Sequence, residues 1–139
     1  MDKKDLLDFI KKQKLAVIST ISSQGDPQAA VIEFGENDNL ELIFDTFNTA
    51  RKYKNLKKNN KVALVIGWDE NITVQYEGDA FEIAGEELKK YKELYFKKNP
   101  AAKRWEKFSE MAYFKVKPTW VRYSDLRKHP WEVVEITDF

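Results

Sequence analysis

Residues 44–61, Phe-Asp-Thr-Phe-Asn-Thr-Ala-Arg-Lys-Tyr-Lys-Asn-Leu-Lys-Lys-Asn-Asn-Lys, place two cations where a helix is expected to begin. Asn48 or Thr49 has the chemistry of an N-cap, and Ala50, Tyr53 and Leu56 with Lys57 follow at the spacing of one helix face. Arg51 and Lys52 then fall in the first turn, where the positive end of the macrodipole favours Asp or Glu. Free amides, the hydroxyls of Thr46 and Thr49, and two cations together suit a bound dianion such as a phosphate monoester. A phosphorylated ligand is the expectation; the competing reading is a solvated basic helix that tolerates a local charge conflict. Lys54, Lys57, Lys58 and Lys61 read as the solvated face of that helix. Six cations within residues 51–61 could also serve nucleic acid, but no aromatic stacking platform accompanies them, so no nucleic-acid partner is expected.

The rest of the composition narrows the chemistry. With no cysteine, thiolate metal sites, iron–sulfur clusters and cysteine nucleophiles are excluded together, and the one histidine, His129, makes a zinc site improbable. No metal is expected, and any redox chemistry needs an organic cofactor. Lys and Arg number 24 against 23 Asp and Glu, so net charge argues for neither nucleic acid nor a membrane surface. The charged start, Met-Asp-Lys-Lys-Asp-Leu-Leu-Asp-Phe-Ile, has no apolar run long enough for a signal peptide or a membrane span, and the cytoplasm is the expected compartment. A chain of 139 residues that is 42% hydrophobic and 14% aromatic is expected to form a single domain, 1–139, with one core.

The elements that must position these residues can be read from periodicity and turn chemistry. Residues 2–13 are an amphipathic helix, with Leu6, Leu7, Phe9 and Ile10 among Asp and Lys. Leu15–Ser22 and Gln28–Phe34 form a hairpin about Gln24-Gly25-Asp26-Pro27, and a turn at 36–39 leads into a third strand, Leu40–Asp45. The basic helix spans roughly 49–59. Val62–Trp68 and Ile72–Ala84 are two more strands, the second bending near Gly78. Glu86–Lys98 is helical and is stopped by Asn99-Pro100, with a short helix over 101–109. Ala112–Tyr123 is a long strand interrupted by Pro118, which prefers an edge or a bulge, and Trp131–Thr137 closes the sheet. Consecutive antiparallel strands with rim helices predict a mainly β (α+β) fold, curled into a small barrel that hides its strand edges.

This order of elements resembles the pyridoxamine 5'-phosphate oxidase-like family of FMN-binding split barrels. The resemblance runs from about Leu15 to Tyr123. It rests on Thr46, Thr49, Arg51-Lys52 and Asn55-Leu56 followed by Lys61-Val62-Ala63-Leu64-Val65, and on Thr73-Val74-Gln75-Tyr76-Glu77-Gly78-Asp79-Ala80. It implies an antiparallel Greek-key split β-barrel and FMN as cofactor. In such proteins the Ser/Thr and Arg-Lys positions hold the FMN phosphate, which here are Thr46, Thr49, Arg51 and Lys52. The strand carrying Val31, Ile32 and Glu33 runs along the flavin. Thr73 and Gln75 contribute from the neighbouring subunit, so a homodimer is implied. Trp131, beside His129, is the candidate to cover the isoalloxazine ring; Trp68, Trp105 and Trp120 read as packing residues.

Departures from the family pattern limit what transfers. Tyr95 fits the substrate segment, but Asn99 stands where an Arg is expected; Arg127-Lys128-His129 resembles the family's Arg-x-His, but Trp131 replaces the Arg that follows. The chain resembles a short, general-stress-protein-like member that keeps the flavin site without vitamin-salvage specificity. The resemblance implies an FMN-dependent oxidoreductase transferring hydride or electrons to or from an unknown small molecule, with no catalytic residue assigned. The alternatives are a non-catalytic flavin-binding stress protein and a deazaflavin- or heme-binding relative on the same fold, heme ligation being open only to His129.

Overall fold

The computed structural model describes residues 2–139. The chain opens with α1 (Lys3–Lys12), started by a capping box in which Asp2 and Asp5 each accept the other's backbone N–H, at 3.0 and 3.1 Å. Its apolar face, Leu6, Leu7 and Ile10, is buried against the sheet core. A hairpin follows, β1 (Leu15–Ile21) with β2 (Pro27–Glu33), closed by a turn whose Ser22 hydroxyl accepts from the amides of Gln24 and Asp26. Next come β3 (Gly35–Glu36) and β4 (Leu42–Phe47), then α2 (Arg51–Lys58). The strands β5 (Lys61–Ile66) and β6 (Ile72–Glu82), α3 (Gly85–Lys98), a 3₁₀ turn over Pro100–Trp105, β7 (Met111–Asp125) and β8 (Glu132–Ile136) complete the chain.

All ladders are antiparallel, in the order β2-β1-β5-β6-β7-β4-β3, with β8 added to β7. The sheet curls until β2 lies near β4, but no ladder joins those two strands. The result is the expected Greek-key barrel, split along the β2–β4 seam. Inside it sits the main core, with Phe34, Phe44, Phe114, Tyr76, Ile18 and Ile66 nearly without exposure. A second core forms where α3 and the 3₁₀ turn cover β4 and β7, through Ile43, Ile83, Tyr91, Tyr95, Ala102 and Tyr113.

Two local features shape the sheet. Leu40 is buried at φ 62°, a conformation costly for a non-glycine residue, in a turn where Asn37 Oδ1 accepts from the amides of Asn39 and Glu41 at 3.0 Å each. That turn puts residues 37–41 outside the ladder, so the third strand is the β3–β4 pair instead of one run from Leu40. Gly78 and Pro118, separate irregularities in the sequence, prove to be one feature: they face each other across a bulge between β6 and β7. A Cβ at Gly78 would stand 2.3 Å from the Lys117 carbonyl oxygen. Pro118 also falls between the β4 ladder, which uses 111–116, and the β8 ladder, which uses 121–125, so its missing N–H removes no bond on that side.

Candidate functional site

The seam between β2 and β4 opens as a cleft of about 250 Å³. Val31, Ile32 and Glu33 form one wall from β2, and Asp45, Thr46 and Phe47 form the other from β4. Because β2 is paired only to β1, its outer edge presents unpaired backbone groups toward the cleft. Ala50 and Lys52 close it at the start of α2, and Tyr95, Ala102, Trp105 and Met111 complete the lining. A smaller recess of about 80 Å³, lined by Thr20, Gln28, Ala29, Ala30, Arg51 and Lys52, adjoins it, so Lys52 borders both.

Helix α2 begins at Arg51, with Ala50 as N-cap, and no side chain bonds to its first-turn amides. This replaces the expected cap at Asn48 or Thr49: the Asn48 amide is spent on Glu110, at 2.8 Å, and Thr49 lies exposed in the turn. Of the other cations in this segment, Lys57 pairs with Glu82 at 3.0 Å and Lys61, on β5, with Asp79 at 2.6 Å, whereas Lys54 and Lys58 have no ion-pair partner among the described residues. Among the described residues Arg51 and Lys52 make no such pair, although Asp45 is near enough to Lys52 for the two charges to act on each other. Burial lowers the Lys52 pKa, and Asp45 opposes that shift. The helix is anchored by Asn55, a buried side chain whose amide donates to Thr20 Oγ1 and Gln28 Oε1, both at 2.9 Å. The Asn-Leu of the sequence motif therefore holds the cation-bearing turn against β1 and β2.

Asp45 carries the other polarity of the cleft. Its Oδ1 accepts the Tyr95 hydroxyl at 2.9 Å, while its Oδ2 is buried with no hydrogen-bond partner. Desolvation raises the Asp45 pKa, Tyr95 opposes the rise and the Glu33 charge adds to it. The same environment pushes Tyr95 well up and Tyr113 up to about 12, each chiefly by desolvation. Phe47, Trp105 and Phe108 form an aromatic cluster at the rim, with centroids 6.0–6.1 Å apart.

Of the sequence candidates, the fold thus brings together Val31, Ile32, Glu33, Thr46 and Lys52 around one cleft, with Arg51 on the adjoining recess. The Thr46 side chain is buried, its Oγ1 donating to the Phe47 carbonyl at 3.2 Å. Thr73 and Gln75 lie on β6, three strands from β2, or about 14 Å at ordinary strand spacing. Trp131 stands at the start of β8, 59% exposed, and neither it nor His129 lines the cleft. Asn99, at the position of the missing Arg, is buried and donates to the carbonyls of Phe34 at 2.8 Å and Tyr95 at 3.2 Å, so it ties α3 to the sheet. Asp45, Phe47, Trp105 and Met111 were not among the candidates. Asp45 alone left a trace, a carboxylate set within the apolar strand Leu42-Ile43-Phe44-Asp45-Thr46-Phe47.

Solved structures share this architecture at low sequence identity. A heme binding protein from Mycobacterium smegmatis superposes with TM-score 0.85 at 16% identity over 99% of this chain, which spans 58% of that protein's length. The General Stress Protein 26 of Bacillus anthracis str. Sterne gives TM-score 0.75 at 22% identity, covering 96% of this chain and 98% of that one. HutZ, the heme storage protein of Vibrio cholerae, gives 0.74 at 16% identity over 83% and 88% of the two chains. No curated protein matches the sequence. Residues 3–125, which include every strand of the cleft and both cations at the start of α2, match the family model described as pyridoxamine 5'-phosphate oxidase, and the chain belongs to that family.

Proposed function

We propose that the protein is an FMN-binding flavoprotein and an oxidoreductase acting on a small molecule. The observation that carries this reading is the start of α2: two cations and uncapped amides at the closed end of a cleft bordered by a free strand edge. Arg51 and Lys52 would hold the phosphate, with the first-turn amides adding oriented dipoles. Thr46 and Thr49 stand before that turn, Thr46 on the cleft wall and Thr49 exposed beside it. Backbone groups on the free edge at Val31, Ile32 and Glu33 would position the ring. When bound, FMN would supply hydride or one-electron chemistry, while the chain orients it and limits water access. Asn99 leaves the cleft without the cation expected for a phosphorylated substrate, so pyridoxamine 5'-phosphate is not the proposed substrate.

A homodimer belongs to this proposal. Thr73 and Gln75 can reach a flavin only on another copy, and the outer face of β1, β2 and β5 carries Leu15, Val31 and Val65 as an exposed apolar stripe. Having no cysteine, the chain gains nothing from an oxidising compartment, and the cytoplasm is its proposed setting. Among the described residues no helix is long and apolar enough to cross a membrane.

The test is the absorption spectrum of the purified protein and the mass of the ligand released on denaturation. Flavin bands and the mass of FMN support the proposal. A deazaflavin mass would replace the cofactor, and a Soret band would favour the heme reading that two structural neighbours' names raise. Against heme, His129, the one histidine of the chain, lies outside the cleft. Turnover with a reduced nicotinamide separates an oxidoreductase from a flavin-binding stress protein.

A further inference from the structure

We infer that the side of the cleft formed by Asp45, Glu33, Tyr95 and Trp105 receives a planar organic cation, such as an amidine or a cationic heteroaromatic ring. The inference deepens the flavin reading by naming the class of substrate that would share its cleft. Three observations converge on it. Asp45 Oδ2 is a buried acceptor with no partner, and such an atom costs about 1–3 kcal/mol unless a donor satisfies it. Tyr95 is already committed to Oδ1, and the Tyr113 hydroxyl, opposite Asp45 in the β4–β7 ladder, is buried without a partner as well, so an acceptor and a donor both stand unused beside the cleft. Glu33, across the cleft on β2, adds a second negative charge, which acts on Asp45 in the same direction as its desolvation does.

The other walls decide the shape of that donor. Phe47, Trp105 and Met111 give flat, polarisable surfaces, and aromatic faces attract cations as well as rings. Among the described residues that line the cleft, Lys52 is the single cation, within range of the Asp45 charge, so two carboxylates stand against one ammonium. An anionic substrate would meet two carboxylates there; a cation would be drawn in. An amidinium or ring N–H aimed at Oδ2 fills the orphaned acceptor.

Benzamidine and benzoate, alike in shape and opposite in charge, are the probes. Each is titrated calorimetrically into the FMN-saturated wild type, Asp45→Asn and Glu33→Gln proteins, with circular dichroism confirming that each variant is folded. Benzamidine should bind the wild type at least tenfold more tightly than benzoate. Asp45→Asn should weaken benzamidine at least tenfold while keeping its FMN affinity, and Glu33→Gln should weaken benzamidine severalfold. Benzoate binding as well as benzamidine, no measurable benzamidine binding, or a benzamidine affinity untouched by both substitutions would overturn the inference. So would a loss of FMN affinity in Asp45→Asn with benzamidine binding retained, since the orphaned oxygen would then serve the cofactor. If FMN fails to bind the wild type, the same titrations are run on the cofactor-free protein. Benzamidine binding that still depends on Asp45 would leave this inference standing and remove the flavin reading alone.

Discussion

Arg51 and Asp45 are the two residues whose surroundings make them informative, and each leads to a measurable consequence. Arg51 is exposed at a helix start, without a carboxylate partner among the described residues, so replacing it should disturb a ligand more than the fold. Arg51→Ala is expected to weaken FMN about ten- to a hundredfold, the equivalent of losing a charge-assisted contact of about 1.5–3 kcal/mol. Riboflavin, without the phosphate, should bind both proteins alike; equal losses for the two ligands in fluorescence titrations would take Arg51 away from the phosphate. Asp45 is argued through linkage. Its folded pKa is raised by desolvation, so between the ordinary carboxylate pKa and the raised one the native state holds more protons than the unfolded state. Its contribution to stability is therefore present below that window and is lost as pH rises through it. Asp45→Asn should be more stable than the wild type at neutral pH, and denaturant titrations should show the difference shrinking toward pH 4. A gap that is constant with pH would mean that Asp45 does not titrate with folding.

Among the elements, β6 and β7 bear most of the architecture, because β7 serves β6 along its length and β4 and β8 on its two halves. The bulge at Gly78 and Pro118 lets one long strand change neighbours midway while the sheet keeps curling. Gly78→Ala forces a methyl against the Lys117 carbonyl, 2.3 Å away, and backbone cannot rotate aside as a side chain can. We expect a loss of about 3 kcal/mol, the upper part of the range for overpacking, seen as a lower denaturation midpoint. A variant within about 0.5 kcal/mol of wild type would show that the strand pair relaxes freely at this point. Helix α2 illustrates the reverse division of labour: Asn55 and Leu56 hold it in place from inside, which leaves Arg51 and Lys52 at its start to border the recess and the cleft.

For the whole molecule, the open question of assembly is set by the sheet's outer face. Leu15, Val31 and Val65, with Val31 61% exposed, lie on adjacent strands beside the split seam, while Thr73 and Gln75 lie farther round the same sheet. A second copy covering that face would bury apolar surface and carry β6 toward the partner's cleft. Sedimentation equilibrium should give a dimer at micromolar concentration, and Val31→Glu with Val65→Glu should give a monomer with weakened FMN affinity. Tight FMN binding by a wild-type monomer would remove the dimer from the proposal.

The strands, helices and their order were legible in the sequence because each rests on local signals: alternation in β1 and β5, the Gly25 turn, the amphipathic face of α1, and the Asn99-Pro100 stop. The cation pair at 51–52 was legible for the same reason, since a helix start and its charge lie within a few residues of each other. What the sequence left open depends on distances between segments far apart along it. Nothing local pairs Gly78 with Pro118, or sets Asp45 of β4 against Tyr95 of α3 and Glu33 of β2. Trp105, read from the sequence as packing, borders the cleft because the 3₁₀ turn folds back over β4, whereas Trp131, read as a cover for the ring, stands apart from this chain's own cleft, just before β8. The curl of the sheet decided those neighbours: it brings β2 to β4 without a ladder and leaves the outer edge of β2 with no strand partner among the described residues.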